Sequence, residues 1–150
     1  MIRYEYLDAF TIDTIVPLYE KMILENVSAD ARLKSYCNDK NNYKKLLSYS
    51  LNREDDLFLL IYEYNSLIGF IDSTRILKDE YEWYIKSVYF IPEYRNEDVF
   101  KKTIEYLEKI VKEKGIMIIT NSALINDESA NRIWRNCGYQ IEGVVRKKVI

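Results

Sequence analysis

Histidine is absent from this 150-residue chain. That removes the commonest general base and the commonest metal ligand together. Ser-His-Asp and Cys-His catalytic triads are excluded with it. Cysteine is scarce, and Cys37 and Cys137 are too far apart in sequence for a zinc site of the usual Cys/His spacing, so no metal is expected. Neither sign of charge dominates. The 22 Lys+Arg and 24 Asp+Glu leave a net charge of −2, which lacks the basic footprint of nucleic-acid binding. Long apolar runs are missing too: the longest, Leu57 to Tyr62, falls far short of the ~18 residues that span a bilayer, so no membrane partner is expected. The start, Met1-Ile2-Arg3-Tyr4-Glu5, has no signal-peptide pattern. With two thiols most simply read as reduced, a cytoplasmic protein is the expectation.

Glycine (4) and proline (2) are rare, so each one carries information about where elements stop. No linker, repeat or low-complexity stretch divides the chain, and one domain over 1–150 is expected. Hydrophobic residues make up 48% and charged residues 31%, a globular balance. At this length roughly 70% of the unfolded surface can be buried. Tyrosine is abundant, 14 against 5 Phe and 2 Trp. Its strand-spaced pairs, Tyr4/Tyr6 and Tyr62/Tyr64, read as core-plus-rim packing or as the lining of an acceptor pocket.

Periodicity assigns the elements. Residues 2–7 alternate as a strand. Ile12, Ile15, Val16, Tyr19, Met22 and Ile23 recur at helical spacing, predicting a helix over 13–26 with Pro17 near its start. A shorter helix is predicted over 42–52. Residues 57–64 and 67–77 are β-rich and separated by Asn65-Ser66, which predicts a hairpin. Lys78-Asp79-Glu80 makes a further turn into a third strand, 82–91, stopped by Pro92. A long helix over about 97–114 follows, with Gly115 as its cap. Residues 116–120 read as a buried strand, 127–137 as a last helix closed by Gly138, and 139–149 as a final strand. The class is α+β: a central mixed sheet, an antiparallel meander plus one parallel βαβ crossover, flanked by helices. Within 82–91, Trp83 and Ile85 share one face, as do Val88 and Phe90. Keeping all four inward needs one extra residue near Lys86-Ser87, a β-bulge; the alternative is a regular strand.

The segment Phe90-Ile91-Pro92-Glu93-Tyr94-Arg95 ends a strand and leads through Asn96, Glu97, Asp98, Val99, Phe100 and Lys101 into a helix. Unpaired N–H groups at a helix start can hold a phosphate. This segment resembles the acyl-CoA-binding motif of the GNAT superfamily of N-acetyltransferases, V-x-P-x-x-R followed by R/Q-x-x-G-x-G/A. Asp98 and Phe100 stand where that family has Gly and Gly/Ala. A second stretch, Asp127-Glu128-Ser129-Ala130-Asn131-Arg132-Ile133-Trp134-Arg135-Asn136-Cys137-Gly138-Tyr139, resembles the family's N-x-x-A/S-x-x-x-Y-x-x-x-G-F segment. Asp127 occupies the Asn position with Asn126 beside it, and Trp134 occupies the position of the Tyr that many members use to protonate the leaving thiolate. Glu142-Gly143 is similar to the branch that acetylates ribosomal-protein N-termini. The order of elements also matches the family along nearly the whole chain.

The resemblance implies a GNAT-like fold that moves an acetyl group from acetyl-CoA to a small-molecule or protein amine by direct attack. Backbone groups of Val88, Tyr89 and Phe90 would pair with pantetheine. The stretch Arg95, Asn96, Glu97, Asp98, Val99, Phe100 and Lys101 would cradle the pyrophosphate, with Asn126, Asp127 and Trp134 lining the cofactor from the last helix. The bulge would expose an N–H that polarises the thioester carbonyl. Glu97 and Asp98 read equally as first-turn acids that suit a helix dipole. The family's base is often a carboxylate on the third meander strand. Glu82 is the candidate there, with Asp72 on the strand before; either also reads as a solvated sheet residue. Trp134 reads also as core, and Arg146-Lys147-Lys148 as the exposed part of a terminal strand. The family usually closes with two strands where 139–150 has room for one, which makes a homodimer covering the free edge an expectation. Two rival functions follow from the departures: a non-catalytic binding or regulatory relative, and a CoA-independent binder using a tyrosine-lined cleft.

Overall fold

A computed structural model describes residues 1–26, 40–51, 54–76, 81–123, 127–146, 148 and 150, with the side chains of 40 and 41 left aside. The elements run β1 (Ile2–Tyr6), α1 (Ile12–Asn26), α2 (Lys40–Ser48), β2 (Asp56–Glu63), β3 (Ser66–Arg75), β4 (Glu82–Phe90), a 3-10 turn (Pro92–Tyr94), α3 (Glu97–Glu113), β5 (Ile118–Asn121) and α4 (Glu128–Asn136). The sheet order is β1-β2-β3-β4-β5. The first three pairings are antiparallel and β4–β5 is parallel, so the α+β class and the mixed sheet hold.

Two apolar layers sandwich the sheet. One face packs Phe58, Leu60, Phe70 and Tyr89 against Ile15, Val16 and Ile23 of α1 and Tyr43 and Leu47 of α2. The other packs Leu57, Leu59, Ile71, Trp83 and Ile85 against Ile104, Leu107 and Val111 of α3, with Trp134 of α4 at the margin. Strand alternation sends successive side chains to opposite layers, which is why β2 is buried along most of its length.

Several expectations are corrected. Pro17 is the sixth residue of α1, because an Asp8–Thr11 turn starts the helix early. Its missing N–H therefore leaves the Asp13 carbonyl without its helical donor. The hairpin loop is Tyr64-Asn65, since Glu63 pairs with Ser66, and Tyr64 takes φ 52°. Residues 139–146 form no strand. Ile141 followed by Val144 and Val145 breaks the period of two, and Tyr139 is drawn off the sheet by Trp134 and Glu108. Among the described residues β5 thus has a partner on one side alone, so Met117 and Ile118 are exposed rather than buried. Gly115 (φ +80°) and Gly138 (φ +90°) do end α3 and α4, taking the left-handed conformation that closes a helix. The turn at Lys78-Asp79-Glu80, together with Cys37, lies outside the described residues.

Candidate active site

The residues singled out in the sequence gather on β4 and the loop after it. Asp72 pairs with Ser87 but Ser73 pairs with Ile85, so Lys86 is an extra residue and the strand bulges there. The bulge resets the alternation, and Trp83, Ile85, Val88 and Phe90 all face the α3 layer as the apolar phase requires. It also marks where β4 and β5 part. The parallel ladder runs from Glu82↔Ile118 to Ile85↔Asn121 and stops. Beyond it, Lys86 to Phe90 have a sheet neighbour only in β3 among the described residues. The N–H of Ile91 points to β3, donating to Ile68. By strand alternation the N–H and C=O of Val88 and Phe90 point the other way, into the opening. An extended polar ligand can add there as a strand would.

The loop after β4 is tightly tied. Arg95 donates from Nε to the Phe90 carbonyl (2.8 Å) and from a terminal nitrogen to Glu25 of α1 (2.6 Å). Its guanidinium lies 5.3 Å from the centre of the Tyr89 ring, and the Tyr89 hydroxyl donates to the same Glu25 carboxylate (2.7 Å). Desolvation works against the Glu25 anion, yet the Tyr89 and Arg95 bonds hold its carboxyl below the usual range. Burial, reinforced by Glu25, pushes the Tyr89 phenol up to about 12. Arg95 thus fastens the loop to α1, and the Phe90 carbonyl, expected to meet pantetheine, already accepts from it.

Asn96 caps α3, its Oδ1 accepting from Val99 N at 3.0 Å. The Arg95 and Asn96 N–H groups bond within the turn, to Pro92 and Tyr94 carbonyls. Of the expected cradle, the N–H groups of Glu97 and Asp98 are the first-turn donors without an intrahelical acceptor. The two acids have side-chain partners of their own. Asp98 pairs with Lys102 at 2.8 Å, one turn on, and Glu97 accepts from Asn136 of α4 at 2.6 Å. Lys101 is exposed beside them. Val99 and Phe100 turn inward against Phe90. Phe100 meets the Trp134 ring edge-on at 4.9 Å, and Trp134 meets Tyr139 at 4.9 Å. This aromatic file bridges α3 and α4 across the space that a Gly/Ala at position 100 would leave open. Asp127 caps α4, its Oδ1 accepting from Ala130 N at 3.0 Å. Asn126 lies outside the described residues.

The two acids considered as bases differ sharply. Glu82 sits in the closed part of the ladder, four residues before the bulge, and accepts from Thr120 Oγ1 at 2.9 Å. Asp72 is not a solvated sheet residue. It is buried at the level of the bulge, 3.1 Å from Lys86 Nζ. Burial raises its carboxyl to about 6, against the opposing pull of Lys86 and with reinforcement from Asp56. Sequence reading undervalued it because burial of a strand acid depends on the helices that cover the strand. No group of three or more metal-binding side chains occurs among the described residues, and no described helix is long and apolar enough to cross a membrane.

Comparison with known proteins agrees with this geometry. Residues 17–149 match the family model described as an acetyltransferase (GNAT) domain. No curated protein gives a significant match. Among solved structures, the PaiA N-acetyltransferase of Thermoplasma acidophilum in complex with coenzyme A superposes with TM-score 0.77 at 21% identity, over 97% of this chain and 93% of that one. A putative acetyltransferase, YycN, of Bacillus subtilis gives 0.75 at 15%, over 100% and 99%. An aminoglycoside acetyltransferase from an uncultured soil metagenomic sample, in complex with sisomicin, gives 0.69 at 18%, over 99% and 95%. At these identities the structural likenesses speak for the fold alone, and it is the family match over most of the chain, joined to the bulged and parting β4, that makes this protein a member of the GNAT acetyltransferase family.

Proposed function

We propose that the protein transfers an acetyl group from acetyl-CoA to an amine, by direct attack within a ternary complex. The observation that carries this reading is the edge of β4 from the Lys86 bulge to Phe90, unpaired among the described residues and ending at the N-terminus of α3. Acetyl-CoA supplies an activated thioester. The chain supplies position and polarity. The Val88 N–H and C=O and the Phe90 N–H bind and align the pantetheine amides as a strand partner would. The N–H groups of Glu97 and Asp98 meet the pyrophosphate at the positive end of the helix dipole. The irregular backbone at Lys86 offers an N–H to the thioester carbonyl, where charge develops during attack. A coenzyme A complex of the Thermoplasma acidophilum neighbour supports this choice of donor. The acceptor is a small-molecule or protein amine.

Calorimetry with acetyl-CoA and with CoA tests the reading. Binding in the micromolar range is expected, and no detectable heat at millimolar ligand contradicts it. Asp98 is the feature that most opposes binding, because its carboxylate stands by the phosphate position. Asp98→Gly is expected to tighten CoA binding about threefold, the size of one unit repulsion at ~6 Å in a water-like medium. Unchanged affinity would place the pyrophosphate elsewhere.

A second reading has its own observation. The file Phe100–Trp134–Tyr139 fills space that the family keeps open, which suits a relative that retains the fold as a binding module. Calorimetry separates the two: this relative gives no heat with either nucleotide.

A further inference from the structure

Among the described residues Asp72 is the acid that the fold buries, and that burial disfavours its charged form. Its side chain is 11% exposed, and its Oδ1 is ion-paired with Lys86 Nζ at 3.1 Å. A buried carboxylate costs stability unless donors surround it. The cation that faces Asp72 is carried by the bulge residue itself.

Its position gives it a use. Asp72 stands opposite Ser87, immediately beside the bulge and about one strand spacing, ~4.8 Å, from β4. A thioester arm laid along Phe90 and Val88 reaches its end at this level. The Asp72 side chain lies on the α1/α2 side of the sheet, with Phe70 and Tyr89, whereas α3 occupies the other side. Glu82, by contrast, lies roughly 13 Å back along the strand at 3.3 Å per residue, engaged by Thr120.

We infer that Asp72 is the group that takes the proton of the acceptor amine, a role that rests on the acetyltransferase reading above. In the step, the amine nitrogen's electron pair forms a bond to the acetyl carbonyl carbon. The carbon–sulfur bond breaks and its pair leaves on the CoA sulfur. The proton released from nitrogen passes to the Asp72 carboxylate, directly or through one water, and then to solvent. The thiolate draws its own proton from solvent. A carboxyl titrating near 6 is ionised at neutral pH and close enough to it to act as a base. The charged groups that set this value are Lys86 of β4 and Asp56 of β2. Farther along the same face are Tyr84 and Glu82 of β4, and Tyr89 with its partner Glu25 of α1.

The test is the pH dependence of kcat/KM for transfer from acetyl-CoA to butylamine, spermidine and a lysyl peptide, with CoA binding measured in parallel. For the wild type, an acid limb of slope one with a midpoint near 6 is expected. Asp72→Asn should lose that limb and about 100-fold or more in kcat, while its CoA affinity stays within about twofold. Lys86→Met, which keeps the carboxylate and removes its cation, should move the limb to higher pH. An active wild type whose limb survives in Asp72→Asn, or stays in place in Lys86→Met, overturns the role of Asp72 and leaves the acetyltransferase reading intact. A wild type that acetylates none of the amines overturns that reading and the assignment with it.

Discussion

The Asp72 carboxyl illustrates a residue that costs stability where it serves chemistry. Its folded value of about 6 lies above the ordinary 3.8, so between these limits the folded state binds more protons than the unfolded one. Stability therefore falls as pH rises through this window, and the full cost, on the order of 2–3 kcal/mol, is present above about 6. Asp72→Asn is expected to unfold at higher denaturant concentration than wild type at pH 7.5, with the difference shrinking as pH falls through the window and gone by about pH 3. Equal stability of the two proteins across that range would mean the carboxyl is not desolvated. Gly69 makes the opposite kind of demand. A Cβ there would fall against the Tyr89 carbonyl oxygen and within 2.8 Å of the Phe90 ring. Neither is free to move, since Phe90 is fixed by Arg95 and packed on Phe100. Gly69→Ala is expected to lower stability by about 3 kcal/mol and to weaken CoA binding with it, measured by urea unfolding and calorimetry.

At the scale of elements, β4 was the most legible part of the sequence. Val88, Phe90, Trp83 and Ile85 could all face inward only with an inserted residue, and Lys86 is that residue. The helices α3 and α4 were equally plain, because their glycine caps and apolar stripes agree with each other. What could not be read was anything that depends on a partner distant in the chain. Arg95 looked like a phosphate ligand, and its engagement by Glu25, 70 residues away, has no local signal. The apolar run at Ile116 looked buried, since nothing in it tells an edge strand from a central one. A proline costs little only within the first turn of a helix, and Pro17 lies past it. Its exposed ring sits in the interior of α1. Pro17→Ala is expected to restore the bond to the Asp13 carbonyl and to raise stability by about 1–3 kcal/mol, read as a higher unfolding midpoint.

For the molecule as a whole, the sheet with two helical layers leaves, among the described residues, a place where strand edges open toward a helix N-terminus. The absence of histidine is compatible with it, because backbone N–H groups and one buried carboxylate can do the work of a histidine-based site. The open hollow between β1 and α3, about 510 Å³ and lined by Met1, Ile2, Tyr4, Lys102, Glu105 and Tyr106, is the competing place for a ligand. Its tyrosines are already spent on each other, Tyr4 stacking on Tyr106 at 4.1 Å. The direct discriminator is a two-dimensional amide NMR titration of the full chain with CoA. The largest shifts are expected at the amides of Lys86, Val88, Phe90, Glu97 and Asp98. Shifts confined to β1 and the middle of α3, or none at saturating CoA, would contradict this expectation.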